Sequence, residues 1–236
     1  MQTRISEEFE AMESFIRAKE GKEFNPNEMA RLCTYNVIKN IIFGKRERYE
    51  NGPDEIIQHV ELFAKNSSVA IDVAPAFLKL FPYFSRKVNT CEKSMSRVCE
   101  KLKEEIENVE KNGAAECFVS SYLARVGPDY DREQLIYTVR DLIGAGSETT
   151  ATTLLWLLIF IANNMTAQDR LQKEVDAAIP RHRLPTLDDQ TKLPFVEATL
   201  LETMRLRTVV PLSIPHVTLS DSNVCGYFIP KGTRVS

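Results

Sequence analysis

Clustered histidines, paired cysteines and long apolar runs are what this sequence has least of. Its three histidines, His59, His182 and His216, are far apart and lack the spacing of a zinc site. Its five cysteines, Cys33, Cys91, Cys99, Cys117 and Cys225, form no C-x-x-C pair and no even framework, so reduced thiols are expected. No basic block interleaved with aromatics appears. With a net charge of −3 and 27% charged residues, that argues against a nucleic-acid partner. No secretory signal follows Met1: residues 2–20 are charged and amphipathic, with Ile5, Phe9, Met12 and Ile16 on one face. The uncharged run 151–162 falls short of the ~20 residues that span a bilayer. There is no internal repeat and no low-complexity segment. At 236 residues and 43% hydrophobic content the chain can build one sizeable core or two small ones.

Glycine is scarce too, at nine residues, yet Gly144 and Gly146 both fall inside the longest apolar helical pattern of the chain. A glycine inside a helix costs about 1 kcal/mol relative to alanine. Four polar side chains, Ser147, Glu148, Thr149 and Thr150, follow directly, before the apolar run resumes at Leu154. A local rule broken inside a strong pattern marks a functional site. The helix itself is well signalled. Asp131 and Gln134 have capping-box spacing, and Leu135, Val139, Leu142 and Ile143 continue at three- and four-residue steps. Running from 131 to 164, it would be about 50 Å long and cross the core. The Gly-Ala-Gly segment lets a flat group approach the backbone. The threonine hydroxyls can bond a carbonyl four residues back, distorting the helix between 144 and 149. Glu148 adds a titratable acid. Small residues, a carboxylate and a hydroxyl suit a site where a bound molecule receives protons in a dry pocket. The same residues suit a helix–helix contact in which Gly and Ala permit close packing.

The remaining pattern predicts a mainly α protein. Asn25-Pro26 starts a helix that Gly44 stops, and Pro53-Asp54-Glu55 starts another. Residues 69–84 read as loop plus short helix, 88–111 as a long charged helix and 116–126 as a short one. Residues 166–179 read as an amphipathic helix with Thr166 and Asp169 at box spacing, and 193–206 as a further helix. From residue 209 prolines, β-branched residues and glycines signal strands, with 228–235 reading as a hairpin around Pro230-Lys231-Gly232.

Ala145-Gly146-Ser147-Glu148-Thr149-Thr150 resembles the oxygen-activation motif of the cytochrome P-450 monooxygenases, (A/G)-G-x-(D/E)-T-(T/S). Glu202-Thr203-Met204-Arg205 resembles the family's E-x-x-R pair, preceded by 192–198 and followed by Arg207 through Pro215-His216 in a succession similar to the microsomal animal members. Another E-x-x-R, Glu28 to Arg31, reads as an exposed pair on a helix surface. The strong resemblance covers 134–236; residues 1–130 match in helix order and in 37–46.

The resemblance implies a partial cytochrome P-450-like helical fold with a long central helix and a short β-hairpin region. The chain, 1–236, would be a single incomplete domain: a helical region to 130, then the central helix, the E-x-x-R helix and the start of the β region. It implies an oxidoreductase that activates O2 on haem and inserts one oxygen atom into a lipophilic steroid, fatty acid or xenobiotic. Electrons would come from an NADPH-dependent reductase at the endoplasmic reticulum membrane. By the same resemblance, Thr149 and Glu148 would be catalytic, delivering protons to dioxygen. Ala145 and Gly146 would lie over the haem, and His216 would bond a haem propionate. Glu202 and Arg205 would be a buried structural pair. Tyr137, Arg140, Asp141, Val210 and Leu212 map to substrate-contacting regions.

The cysteine thiolate that binds iron in this family lies downstream of E-x-x-R, in a segment like F-x-x-G-x-R-x-C-x-G. Cys225 lacks those neighbours and reads as an ordinary strand or turn thiol. The chain is therefore expected to be an internal fragment without the amino-terminal anchor or the iron ligand, and inactive alone. The alternatives are a truncated non-catalytic product, or a helical binding or scaffold domain without haem.

Overall fold

The computed structural model describes residues 2–68, 71, 75–113, 116–211, 213–214 and 216–235. Its helices are α1 (Gln2–Arg17), α2 (Pro26–Phe43), α3 (Glu55–Asn66), the single turn α4 (Pro75–Leu78), α5 (Pro82–Asn112), α6 (Phe118–Val126), α7 (Arg132–Ala162), α8 (Met165–Ala178) and α9 (Pro194–Leu206). Four short strands follow, β1 (His216–Val217), β2 (Ser222–Val224), β3 (Tyr227–Ile229) and β4 (Arg234–Val235). The protein is mainly α, as the sequence predicts.

Local chemistry sets most helix ends. Asn25 caps α2 through the Asn27 amide, and Gly44 closes it in the left-handed region at φ 69°. Asp54 caps α3 through Ile57, and Asp131 caps α7 through Gln134. Two starts differ from expectation. The α5 helix begins six residues before residue 88, because Pro82 occupies its first turn, where a missing N–H costs nothing. The α8 helix is capped by Asn164, whose side chain accepts from the Ala167 amide, so the Thr166/Asp169 box does not form. Residues 69, 70 and 72–74 of the expected loop lie outside the described residues.

The core is built by α2, α3, α5, α6 and the first half of α7. Tyr35, Ile42 and Phe43 of α2 meet Val98, Leu102 and Ile106 of α5 and Leu135, Val139 and Ile143 of α7, all essentially without solvent contact. Length and composition would let α7 cross a membrane. Within this fold Leu135, Val139, Ile143 and Ala151 of α7 are buried, and the helix also carries Arg140, Asp141 and Glu148. The structure turns α1 differently from its apolar stripe. The buried residue of α1 is Glu8 (2% exposed), which accepts hydrogen bonds from Asn36 Nδ2 at 3.0 Å and the Tyr49 hydroxyl at 2.5 Å and pairs with Arg46 at 3.1 Å. Phe9 and Ile16 face outward, into an apolar groove closed by Leu184, Pro185 and Leu187.

The β region also departs from the expected 228–235 hairpin. β3 pairs with β2, Asn223 opposite Phe228, around a two-residue turn in which Cys225 (φ 52°) and Gly226 (φ 86°) are both left-handed. β4 pairs with β1, His216 opposite Val235. The Pro230-Lys231-Gly232 turn exists, with the Thr233 amide on the Pro230 carbonyl at 3.2 Å, but it links two separate ladders. Sequence proximity suggested a partner that the returning chain supplies instead.

Between α8 and α9 the chain is pinned by Asp189, 1% exposed. It accepts from the Arg183 guanidinium at 2.7 and 2.9 Å, from Thr186 N and Oγ1, and from Lys192 at 3.2 Å. The Arg183 hydrogen bonds first, then the Thr186 amide, hold its carboxyl well below the usual carboxylate range. A depressed folded pKa contributes stability that is present above the unfolded value of about 4 and lost as pH falls through the lower folded value. Carboxyl titration by NMR is therefore expected to show Asp189 still ionised at about pH 3. A midpoint near 4 would refute the pin.

Candidate active site

Gly144-Ala145-Gly146 does not interrupt α7: the helix is continuous from Arg132 to Ala162. No break in the helix accompanies the hydroxyl cluster between 144 and 149, where the hydroxyls bond back along the same helix. Ser147 Oγ donates to the Ile143 carbonyl at 2.6 Å and Thr149 Oγ1 to the Ala145 carbonyl at 2.7 Å.

The motif has two sides. On one, Gly146 lies against α2: a Cβ there would come within 3.3 Å of Ile38 Cγ1 and Cδ1. Its missing side chain is what admits Ile38. Ser147 is buried on the same side, with its carbonyl accepting from Thr34 Oγ1 at 2.9 Å. Glu148 is gripped by Arg31, Nη1 to Oε2 at 2.5 Å, and Glu61 of α3 stands 3.7 Å from the same guanidinium. Glu148 is thus an ion-pair partner of α2 in this structure rather than an unpaired acid.

The other side is open. Leu142, Ala145 and Thr149 follow one another at three- and four-residue steps, so they share a face. Leu142 is 38% exposed, Ala145 exposed and Thr149 half-buried. Further along, the face is covered: Phe160 faces α9 residues Ala198 and Thr203 across a cleft, and the Arg207 guanidinium stacks on Trp156 at 4.8 Å. Gly144 is free of neighbours, since a Cβ there meets nothing within 4 Å. The two glycines should therefore part company. Gly144→Ala is expected to stabilise by about 0.5–1 kcal/mol through helix propensity, whereas Gly146→Leu overpacks Ile38 and is expected to cost about 1–3 kcal/mol. Urea denaturation of both variants checks this; equal effects would contradict the two-sided placement.

The remaining candidates are dispersed. Arg140 pairs with its neighbour Asp141 at 2.7 Å and lies 5.0 Å over the Tyr137 ring. Tyr137 borders a groove with Met95 and Cys99 of α5. Asp141 is four residues before Ala145 and continues its stripe. Val210 is exposed, its carbonyl accepting from the Ser213 amide at 3.1 Å, and His216 is exposed in β1. No hydrogen bond or ion pair joins either to α7 among the described residues. Leu212 lies outside them.

Glu202 and Arg205 do pair, with Nε and Nη2 of the arginine each 2.7 Å from a carboxylate oxygen. The pairing holds the Glu202 carboxyl below its usual range and Arg205 above its own. The expected burial is wrong, however: the side chains are 68% and 54% exposed for Arg205 and Glu202. Only Thr203 of α9 is buried, because α7 and α8 cover its other side and no described element covers the pair. The expected exposure of Glu28 and Arg31 holds for the first and fails for the second. Glu28 is exposed, but Arg31 is 17% exposed and reaches 117 residues along the chain to Glu148. Arg31 and Thr34 are the residues that sequence reasoning missed, and no local spacing signals a partner that distant.

Small Ala145 and the edge of Thr149 leave the open face of α7 unobstructed, which would suit a flat ligand. Cys225 sits exposed at the β2–β3 turn, and the described residues gather no cluster of three or more His, Cys, Asp or Glu side chains.

The family model for cytochrome P450 matches residues 1–236. The chain belongs to the cytochrome P450 family. It is 28% identical over 251 residues to cytochrome P450 2B15 of Rattus norvegicus, across 100% of this chain and 50% of that protein. It is 30% identical over 248 residues to cytochrome P450 2C11 of Rattus norvegicus, across 100% and 49%. A solved zebra fish cytochrome P450 with progesterone superposes with a TM-score of 0.81 at 26% identity, covering 99% of this chain and 56% of that one. The chain spans about half the length of the curated relatives it matches.

Proposed function

We propose that this chain is part of a haem-thiolate monooxygenase that uses O2 to insert one oxygen atom into a lipophilic substrate. The observation that carries the reading is the two-sided motif: α2 locks Gly146, Ser147 and Glu148 from behind, leaving Ala145 and Thr149 side by side on an open face. Haem, bound through a cysteine thiolate elsewhere in the whole protein, supplies the activation of O2. Ala145 presents a methyl group against which the flat ring can lie. The Thr149 hydroxyl gives its proton to the Ala145 carbonyl, so its lone pairs are free to accept from a water and hold it over the reacting centre. Glu148, ion-paired to Arg31, borders that relay. His216, exposed at the start of β1, is available to a propionate. Tyr137, Arg140, Asp141 and Val210 border the substrate. A steroid is a fitting substrate class, since the solved relative holds progesterone. An NADPH-dependent reductase as electron donor, and attachment to the endoplasmic reticulum membrane through an amino-terminal anchor, complete the reading. Residues 1–236 act as one part of a larger haem-binding domain.

The test is spectroscopic. The whole protein is expected to bind haem and to give the thiolate-type Soret shift in its reduced carbon monoxide complex. The 236-residue polypeptide alone is expected to give none, with or without Cys225→Ser. A whole protein that takes up no haem would end the reading.

A further inference from the structure

Three successive residues of the motif are held by one face of α2, in antiparallel order. Ile38 fills the space left by Gly146, Thr34 one turn earlier donates to the Ser147 carbonyl, and Arg31 grips Glu148. The central contact is unusual in kind. A helix carbonyl already accepts from the amide four residues on, and a second donor tilts it away from the axis. Thr34 Oγ1 has one hydrogen and three carbonyls in reach: Ala30 at 3.2 Å, Arg31 at 3.1 Å and Ser147 at 2.9 Å. The shortest is the one that crosses between helices. Both residues are buried, Thr34 at 7% and Ser147 at 3% exposed, so water does not compete for the bond. The peptide unit so fixed begins the turn that carries Thr149 two residues later, and Ser147 Oγ steadies that turn from the preceding one at 2.6 Å.

We propose that Thr34 is a positioning residue for Thr149: its hydroxyl, through the Ser147 carbonyl, sets the tilt of the α7 turn that presents the Thr149 hydroxyl to the open face. The proposal rests on the monooxygenase reading for its functional half. Thr34 touches neither substrate nor cofactor and acts only through the α7 backbone. Its loss should loosen the turn and misplace the relay while leaving substrate binding alone.

The experiment compares Thr34→Val, which keeps shape and removes the hydroxyl, with Thr34→Ser, which keeps the hydroxyl. In the haem-free and haem-loaded whole protein, amide exchange of residues 148–152 is expected to speed up roughly tenfold in Thr34→Val and to return to the original rate in Thr34→Ser. In the loaded protein with progesterone as probe, the share of reducing equivalents recovered in oxygenated product is expected to fall about fivefold in Thr34→Val, with KM unchanged. The missing equivalents should appear as hydrogen peroxide, two electrons and two protons per O2, and Thr34→Ser should recover the coupling. Faster exchange with unchanged coupling would make Thr34 merely structural and overturn the proposal. Unchanged exchange would overturn it at its root. No oxygenation by the unmutated protein, with exchange still responding to Thr34→Val, would instead locate the failure in the monooxygenase reading and remove the functional half with it.

Discussion

Replacing Lys39 by alanine is expected to destabilise the protein by about 3–5 kcal/mol, the range for breaking a buried charge pair by removing one partner. Lys39 lies in α2 on the side of the core that faces the α2–α3 connection, with its side chain 4% exposed. Its ammonium bridges Glu47 at 2.5 Å and Asp54 at 2.6 Å. Asp54 also accepts from the Tyr35 hydroxyl at 2.7 Å and caps α3 through the Ile57 amide at 3.1 Å. Alanine would leave two half-buried carboxylates facing each other beside the cap of α3. Burial alone lowers the Lys39 pKa, but the hydrogen bonds to Asp54 and Glu47 outweigh it and raise the group above its usual value. A raised folded pKa means the contribution is complete below the unfolded value of about 10.4 and fades only as pH climbs through the higher folded one. The loss in Lys39→Ala should therefore be constant from pH 6 to 9. Urea denaturation at both ends of that interval checks it, and a cost under about 1 kcal/mol would mean that water already reaches the cluster.

Thr149→Val is expected to lower coupled product formation by about 10²-fold in the haem-loaded whole protein, the low end of what a positioned proton-transfer group contributes. The substitution removes the hydroxyl that bonds the Ala145 carbonyl and would hold a water on the open face, and it keeps the side-chain volume. Folding should scarcely change, since Thr149 is half-buried and the turn is anchored from behind by Ser147 and Glu148. Thr149→Ser should retain most of the activity. Haem content, substrate-induced spectral shift and product yield, measured side by side, separate a relay defect from a binding defect. A fully loaded Thr149→Val protein with undiminished product would remove Thr149 from the chemistry.

Helix by helix, the legible part of this fold was the part set by neighbours in sequence. Asn25, Asp54 and Asp131 each satisfy an amide two or three residues on, so the chain announces these starts without help from packing. The length of α7 followed in the same way from a pattern free of proline. The two-residue turn at Cys225 and Gly226 shows where this stops: the local residues allow a tight turn, but which strands close around it depends on where the returning chain lies. Glu8 shows it more sharply. The apolar stripe of α1 is legible in its spacing, but the residue that α1 buries is not on it. The structure buries the carboxylate instead, because Asn36, Tyr49 and Arg46 converge on it and satisfy what would otherwise be a costly charge.

For the site, the sequence by itself determined that α7 carries small residues, a carboxylate and a hydroxyl in one turn, and that Thr149 and Ala145 share a face. Both are consequences of helical spacing alone. Only the tertiary structure decided which glycine is a packing surface and which is open space, that Glu148 belongs to Arg31, and that Glu202 and Arg205 stand in solvent. Each of those depends on what lies opposite a side chain. Arg31 and Glu148 are 117 positions apart and Thr34 and Ser147 are 113 apart. Such pairs exist only because the core aligns α2 antiparallel to α7 and brings their backbones close where Gly146 has no side chain.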